Sequence, residues 1–327
     1  MQAVTMTGFG GADVLTMGEI ERPIPADDQV LIRVAATSVN RADITQREGN
    51  YPAPKGDSEI LGLEVAGTIE ELGPGATGFE PGERVMALVG GGGYAEFAVA
   101  HASHLIRIPE GLSFEQAACI TETYITAHLN VFTIGGLADN EIALLHGGGG
   151  GVNTAALQLC KALTPGTQVF ITASPAKVER VRSLGADRVI DYRNEAFDEV
   201  TRDATNGRGA NVILDHIGSA YLTSNLKALS VGGRLVIIGV MGGAKAEINL
   251  ARLMVKRQQI IGSVLRSRSV DEKAEITARF VDEVMPLFAA GEITPLIHDV
   301  MPLSAVAEAH SIMESSAHFG KIVLKPL

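Results

Sequence analysis

Five consecutive glycines, Gly147 to Gly151, follow at once on the apolar run Glu141-Ile142-Ala143-Leu144-Leu145-His146 and lead into a helical stretch from Val152 to about Ala162. A strand, a glycine turn and a helix in that order bring backbone N–H groups and a helix N-terminus together, which is how a diphosphate is held. Read alone, the same run is also what a flexible turn without a ligand looks like. As a cradle it would bind through Gly148, Gly149, Gly150, Gly151 and Val152, and Asn153 stands where a third glycine serves close helix packing. The next apolar run ends Thr172-Ala173-Ser174-Pro175, without the Asp or Glu that accepts from a ribose 2′-hydroxyl, and Lys177, Arg180 and Arg182 follow. A missing carboxylate removes repulsion against a 2′-phosphate, and Ser174 with Lys177 can bind one by hydroxyl and ammonium contacts. NADPH is expected over NADH. The alternative for the three cations is the solvated face of a surface helix. Tyr192, just after the third strand, either lies against an adenosine or packs a strand end.

The elements that must position these groups alternate strand and helix. Strands are expected at 141–146, 168–172, 188–191, 211–215 and 234–238, with helices at 152–162, 176–184, 196–205 and 221–229 between them. That alternation is the pattern of a doubly wound parallel sheet, whose ligands sit at the carboxyl ends of the strands. The run Gln259–Val264 reads as its last strand, and Ser269-Val270-Asp271-Glu272 has the form of a capping box opening a helix. Up to about residue 120 the texture differs. Short strands at 30–34, 65–69, 84–89 and 94–99 are punctuated by Gly73-Pro74-Gly75, Glu80-Pro81-Gly82-Glu83 and the glycines at 90–93, which suggests a compact β-rich barrel.

Composition narrows the function classes. The 327 residues carry 27 Lys+Arg against 38 Asp+Glu, a formal charge of −11 with no basic run, so nucleic acid is not an expected partner. Two cysteines, Cys119 and Cys160, cannot build a disulfide framework or a four-cysteine zinc lobe. The start of the chain lacks a signal-peptide pattern and no apolar run is long enough to span a membrane, so a cytoplasmic protein is expected. No G-x-S-x-G nucleophile elbow occurs. His101 and His104 read as turn residues, and Asp215 and His216, neighbours on a strand, point to opposite faces and take no catalytic role.

Several segments together resemble a known family. They are Ser38-Val39-Asn40-Arg41-Ala42-Asp43, Arg47-Glu48-Gly49-Asn50-Tyr51-Pro52, Leu61-Gly62-Leu63-Glu64-Val65-Ala66-Gly67, Leu145-His146-Gly147-Gly148, Ala186–Tyr192 and Gly320-Lys321-Ile322-Val323-Leu324. In this order they resemble the medium-chain dehydrogenase/reductases, and within them the zinc-free quinone oxidoreductases of the zeta-crystallin type. Val240-Met241-Gly242-Gly243 with Leu265-Arg266-Ser267-Arg268 is similar to the branch of the p53-inducible quinone oxidoreductase. The resemblance implies an α/β fold in which a Rossmann sheet, residues 123–292, is inserted in a GroES-like β-rich domain, 1–122 and 293–327. Zinc-containing relatives carry a Cys near Asn40–Asp43 and Gly-His-Glu where this chain has Gly62-Leu63-Glu64, so no metal is expected here. His146 to Asn153 reads HGGGGGVN where relatives resemble HGGASGVG, which implies a more flexible loop and an altered cofactor affinity.

Without zinc to polarise a carbonyl, hydride transfer needs an acceptor that is already electrophilic, such as a quinone or another conjugated carbonyl. Tyr51 is the best proton donor, its hydroxyl free to donate to a developing oxyanion and its ring to pack on a planar substrate; the alternative is packing beside a Pro-rich turn. By resemblance Asn40 lies close to the nicotinamide and ribose, although a turn or capping role also fits it, and Thr126 reaches the nicotinamide. Gly239, Met241, Ser263, Leu265 and Lys321 match positions that line the cofactor in the family. The resemblance also implies a homodimer that pairs the edge strands of the Rossmann sheets. Two further readings stay open, an NADPH-dependent reductase of enone or enal double bonds, and an NADPH-binding sensor or structural protein of the zeta-crystallin kind.

Overall fold

The structure, a computed structural model, describes residues 1–326. From the N-terminus run β1 (Gln2–Met6), β2 (Leu15–Glu19), β3 (Gln29–Ser38), α1 (Arg41–Arg47), β4 (Glu64–Leu72), β5 (Arg84–Leu88), β6 (Phe97–His101), β7 (Leu105–Arg107), α2 (Phe114–Ala117) and α3 (Thr123–His128). An alternating series follows, with β8 (Ile142–His146), α4 (Gly151–Leu163), β9 (Gln168–Ala173), α5 (Val178–Ser183), β10 (Arg188–Asp191), α6 (Phe197–Ala204), β11 (Ala210–Asp215), α7 (Ser219–Ala228), β12 (Leu229–Ile237), α8 (Leu250–Lys256) and β13 (Gln259–Gly262). The chain closes with α9 (Val270–Ala289), β14 (Ile297–Pro302), α10 (Val306–Glu314) and β15 (Lys321–Lys325). It divides into two compact units, Met1–Ile125 with the segment from Leu265 onward, and Thr126–Val264.

In the first unit the sheet order is β14-β15-β3-β4-β5-β7, with β6 also on β3. Alternate residues of β3, Val30, Ile32 and Val34, share one core with Val65, Ile69, Val85 and Ala87, as the period of two along a strand requires. A second core joins Val39, Ile44, Leu61 and Tyr94 to Met301, Leu303, Val306, Ile322 and Leu324, so the C-terminal segment completes this unit. Helix α9 belongs here too, whereas the sequence places it in the inserted domain. Its first turn is held by His104, whose Nε2 lies 3.0 Å from the Val270 carbonyl, and its last turn sets Phe288 edge-on against Tyr124. The capping box expected at Ser269 and Glu272 opens it. The strand expected at 94–99 runs instead over Phe97–His101, because Tyr94 turns inward into the second core and Ala95 only bridges Ala3.

In the second unit all strand pairs are parallel and the order is β10-β9-β8-β11-β12-β13. Strand β8 is buried along its whole length, which explains a continuous apolar run rather than an alternating one. The chain order reverses between β8 and β11, and ligands of such sheets bind at the carboxyl ends beside that switch point. Helix α8 was not foreseen in the sequence; it leaves Leu250, Met254 and Val255 exposed, so it lacks the buried apolar stripe by which a helix is read.

Candidate active site

The second unit gathers the expected cofactor residues at the carboxyl ends of its strands. Gly148 to Val152 follow β8, Ser174 and Lys177 follow β9, Tyr192 follows β10, Gly239 and Met241 follow β12, and Ser263 follows β13. Gly147 takes φ +85°, the left-handed region that glycine enters without strain, and turns the chain from β8 toward α4. A β-carbon on Gly148 would stand 2.9 Å from Ile171 and 3.0 Å from Val181, so the loop presses directly on the sheet. On Gly149 it would stand 2.5 Å from Lys177 Cδ; the lysine lies over the glycine loop, in space that an alanine would take. Gly150 is the N-cap of the thirteen-residue α4, and the Ser174 side chain, at the N-cap of the turn after β9, makes no capping hydrogen bond among the described residues. A bare backbone turn, a helix N-terminus, a lysine and a hydroxyl with no acid among them fit the phosphates of a dinucleotide. Asn153 is buried with its Oδ1 unpartnered, so a polar side chain replaces the close glycine contact at the first turn of α4. Tyr192 and Met241 are well exposed, and Ser263 is buried with an unpartnered hydroxyl. Thr126, in α3, is buried and its carbonyl accepts from Asn130.

The first unit builds a second constellation around Glu64, at the start of β4 and wholly buried. Glu64 Oε1 accepts from Ser38 Oγ at 2.6 Å and Asn40 Nδ2 at 3.1 Å and lies 3.0 Å from Lys321 Nζ. Its Oε2 accepts from the Glu122 N–H at 2.9 Å. Lys321 also donates to Asn40 Oδ1 at 2.5 Å and to the Val39 carbonyl at 3.0 Å. A carboxylate only accepts and an ammonium only donates, so the Asn40 amide between them has one orientation. Asn40 also starts α1, where Asp43 accepts from its N–H at 2.7 Å, so the capping and site roles coexist. Asp43 accepts further from Gly62 N–H and the Tyr94 hydroxyl, and burial still pushes its carboxyl up to about 6.

Tyr51 is half-buried with the Arg266 guanidinium 5.2 Å from its ring centroid, a cation–π contact. Arg266 is fixed by Gly90 and Tyr51 carbonyls at 2.8 and 3.3 Å, and its Nη2 is buried without a partner. Burial and the nearby Glu122 push the Tyr51 phenol up to about 12, against the pull of Arg266. It therefore stays protonated at neutral pH and is a donor; among the described residues its hydroxyl makes no hydrogen bond. Leu265, beside Arg266, is buried. Glu64, Glu122 and Arg266 were given no role from the sequence. Arg266 lies inside a quoted motif, and Glu122 is the one charged residue between Ala117 and Leu137, a signal that could have been weighed.

Other polar groups are structural. Asp215 accepts from Ile217 and Gly218 N–H groups and from Asn225, tying down the turn after β11. His101 meets Asp28 at 2.8 Å, brought there by the pairing of β3 with β6, and its ring packs edge-on against His104. Among the described residues no three His, Cys, Asp or Glu side chains are grouped as metal ligands. Cys119 and Cys160 are buried, and burial pushes both thiols up, that of Cys160 to about 12.

Comparison with known proteins agrees with this geometry. The family described as alcohol dehydrogenase GroES-like domain matches residues 26–110, and that described as zinc-binding dehydrogenase matches residues 184–324. The human quinone oxidoreductase is 34% identical over 99% of this chain and 97% of its own length. The rat synaptic vesicle membrane protein VAT-1 homolog is 30% identical over 100% of this chain and 84% of its own. A mycobacterial protein solved in complex with NADPH superposes with a TM-score of 0.89 at 29% identity, covering 100% of both chains. The CurK enoyl reductase does so at 0.88 and 26%, covering 100% of this chain and 99% of its own. A GroES-like unit completed by its C-terminal segment and a dinucleotide-type parallel sheet define an oxidoreductase of the medium-chain dehydrogenase/reductase class. Within that class the chain belongs to the quinone oxidoreductase family.

Proposed function

We propose that this protein is an NADPH-dependent quinone reductase that works without zinc. The observation that carries the reading is the closed Asn40–Glu64–Lys321 cluster, together with the Tyr51 phenol held against Arg266 in the same unit. Both Glu64 oxygens and the Asn40 oxygen are taken up by protein donors, so neither is offered to a metal, while Tyr51 offers a protonated phenol. Such a site suits an acceptor that is electrophilic of itself. Gly148 to Val152, Ser174 and Lys177 would hold the cofactor, with Lys177 favouring the 2′-phosphate form. Bound NADPH supplies the hydride. Tyr51 donates the proton to the oxyanion that develops on the acceptor, Arg266 holds the phenol ring in place, and Lys321 and Glu64 fix the Asn40 amide.

Assembly as a homodimer is part of this reading. Strand β13 is the sheet edge, and next to it Leu250, Met254, Val255 and Val264 are exposed, an apolar surface that a second copy would cover. The likeness to an enoyl reductase supports a second reading, reduction of an enone double bond at the same site. The test follows loss of the reduced-cofactor absorbance with NADPH or NADH against naphthoquinone and cyclohexenone. Turnover with NADPH and the quinone, reduced about a hundredfold in Tyr51→Phe, is expected. Turnover with the enone alone would move the function to double-bond reduction, and cofactor binding without any turnover would favour a sensor or structural protein.

A further inference from the structure

Three glycines of the turn after β8 look alike in the sequence and differ in what surrounds them. A β-carbon on Gly148 would meet the sheet, through Ile171 and Val181. One on Gly150 would meet only the Gly147 carbonyl oxygen at 3.5 Å, an ordinary contact, and Gly150 has φ −88°, which any residue adopts. At Gly149 the three nearest atoms all belong to one side chain. Lys177 Cδ stands 2.5 Å, Nζ 3.1 Å and Cε 3.2 Å from the place of a β-carbon there. Gly149 is not in the left-handed region, so its backbone does not demand glycine; the space does.

The other end of the lysine is fixed by the fold. Strand β9 ends at Ala173, and the Lys177 N–H donates to the Ser174 carbonyl at 2.9 Å, closing a single turn that Pro175 opens. Lys177 therefore starts just beyond the end of β9, where such sheets read the ribose 2′ substituent. Its half-buried stem runs from there back over the turn after β8.

We propose that Gly149 is a determinant of cofactor choice that acts through Lys177: its missing β-carbon lets the lysine lie along the loop, which holds the ammonium ready for the 2′-phosphate that distinguishes NADPH from NADH. This rests on the NADPH reading and deepens it. A lysine free in water loses side-chain freedom when it grips a phosphate, whereas one already laid down in a single pose has less to lose. Gly149→Ala evicts the lysine and leaves its charge in place. Only the free end of a flexible side chain has to move, so the fold tolerates the change, in contrast to Gly148, where packed side chains of the sheet and of α5 stand in the way.

The test is calorimetric titration of NADPH and of NADH into the wild-type protein, Gly149→Ala, Gly150→Ala, Lys177→Ala and the double variant Gly149→Ala with Lys177→Ala. Whatever a methyl costs at the shared diphosphate falls on both cofactors, so the ratio of the two dissociation constants isolates the lysine. Gly149→Ala should lower the preference for NADPH about threefold to tenfold. Gly150→Ala should leave the ratio unchanged, and so should adding Gly149→Ala to Lys177→Ala, because the lysine is already gone. Thermal unfolding of Gly149→Ala without cofactor should match the wild type. An unchanged or increased preference in Gly149→Ala, the same loss in Gly150→Ala, or a Gly149→Ala effect that persists without Lys177 would overturn the proposal. So would earlier unfolding of Gly149→Ala, since the backbone rather than the lysine would then have yielded. A wild-type protein that binds both cofactors alike, or a preference that survives Lys177→Ala, would instead fail the reading of Lys177 as the 2′-phosphate ligand, whereas a preference lost in Lys177→Ala and kept in Gly149→Ala fails the proposal alone.

Discussion

Removing the positive member of the Glu64–Lys321 pair is the sharpest test of how the first unit is held. The two charged atoms are 3.0 Å apart, with side chains 5% and 0% exposed. At an effective dielectric constant of about 20, their attraction is roughly 5 kcal/mol. Breaking a buried pair from one side typically costs about 3–5 kcal/mol, because the remaining charge stays buried. In Lys321→Met, Glu64 keeps the Ser38, Asn40 and Glu122 donors, so the loss should fall near the low end, about 3 kcal/mol or roughly 150-fold in the unfolding equilibrium. Urea unfolding followed by circular dichroism reads it as a shift of the midpoint at unchanged slope. The control is Glu64→Gln combined with Lys321→Met, which leaves no charge behind and should return to within about 1 kcal/mol of the parent. A single variant that loses less than about 1 kcal/mol, or a double variant no better than the single one, would falsify the view that Lys321 neutralises Glu64.

Three other outcomes follow from the geometry. Lys177→Ala should weaken NADPH binding about tenfold or more and leave NADH unaffected, measured by titration of each cofactor; equal losses for both would put Lys177 elsewhere than at the 2′-phosphate. Gly148→Ala forces a methyl against Ile171 and Val181 and should cost about 1–3 kcal/mol, read from thermal unfolding, together with weaker cofactor binding. His146 and His310 are buried and pushed down to about 3. Unfolding lets each take a proton below its ordinary value of 6.5, so their contribution is full above that pH and is lost as pH falls toward 3, by up to about 1.4 kcal/mol per pH unit for each. His310→Gln should flatten that acid limb, and an unchanged limb would mean that His310 does not set it.

The second unit was largely legible because its signals are local. A wholly apolar run such as 142–146, a glycine turn and a helix follow one another in the chain, and the strand at Arg188–Asp191 lies where the pattern puts it. Ser174 and Lys177 could be placed at the carboxyl end of β9 for the same reason, since they follow that strand directly. The first unit hides its chemistry in contacts between distant residues. Glu64 looks like an ordinary strand residue until β15 brings Lys321 beside it, and Arg266 gains its meaning from a tyrosine that precedes it by 215 residues. Helix α9 was misplaced on the same account: its capping box marks where it begins, while nothing local says which unit it packs on. Glu122 carried a weak signal, a single charge in an apolar stretch, and only the company it keeps makes that charge informative.

The discontinuity of the first unit has a consequence for how the chain is made. Asn40 and Lys321 are separated by 281 residues, and between their emergence from a ribosome the entire parallel sheet is synthesised. Translation delivers Glu64 before the second unit and its counter-ion only after it. A nascent chain that has completed the second unit still carries a first unit whose central carboxylate lacks its partner and whose apolar residues Val39, Ile44 and Leu61 await β14, α10 and β15. Because contacts this remote in sequence form slowly, the inserted unit can fold while the surrounding one waits. The first unit would then mature after the second, so that the glycine turn after β8 is formed before Asn40, Glu64 and Lys321 have met.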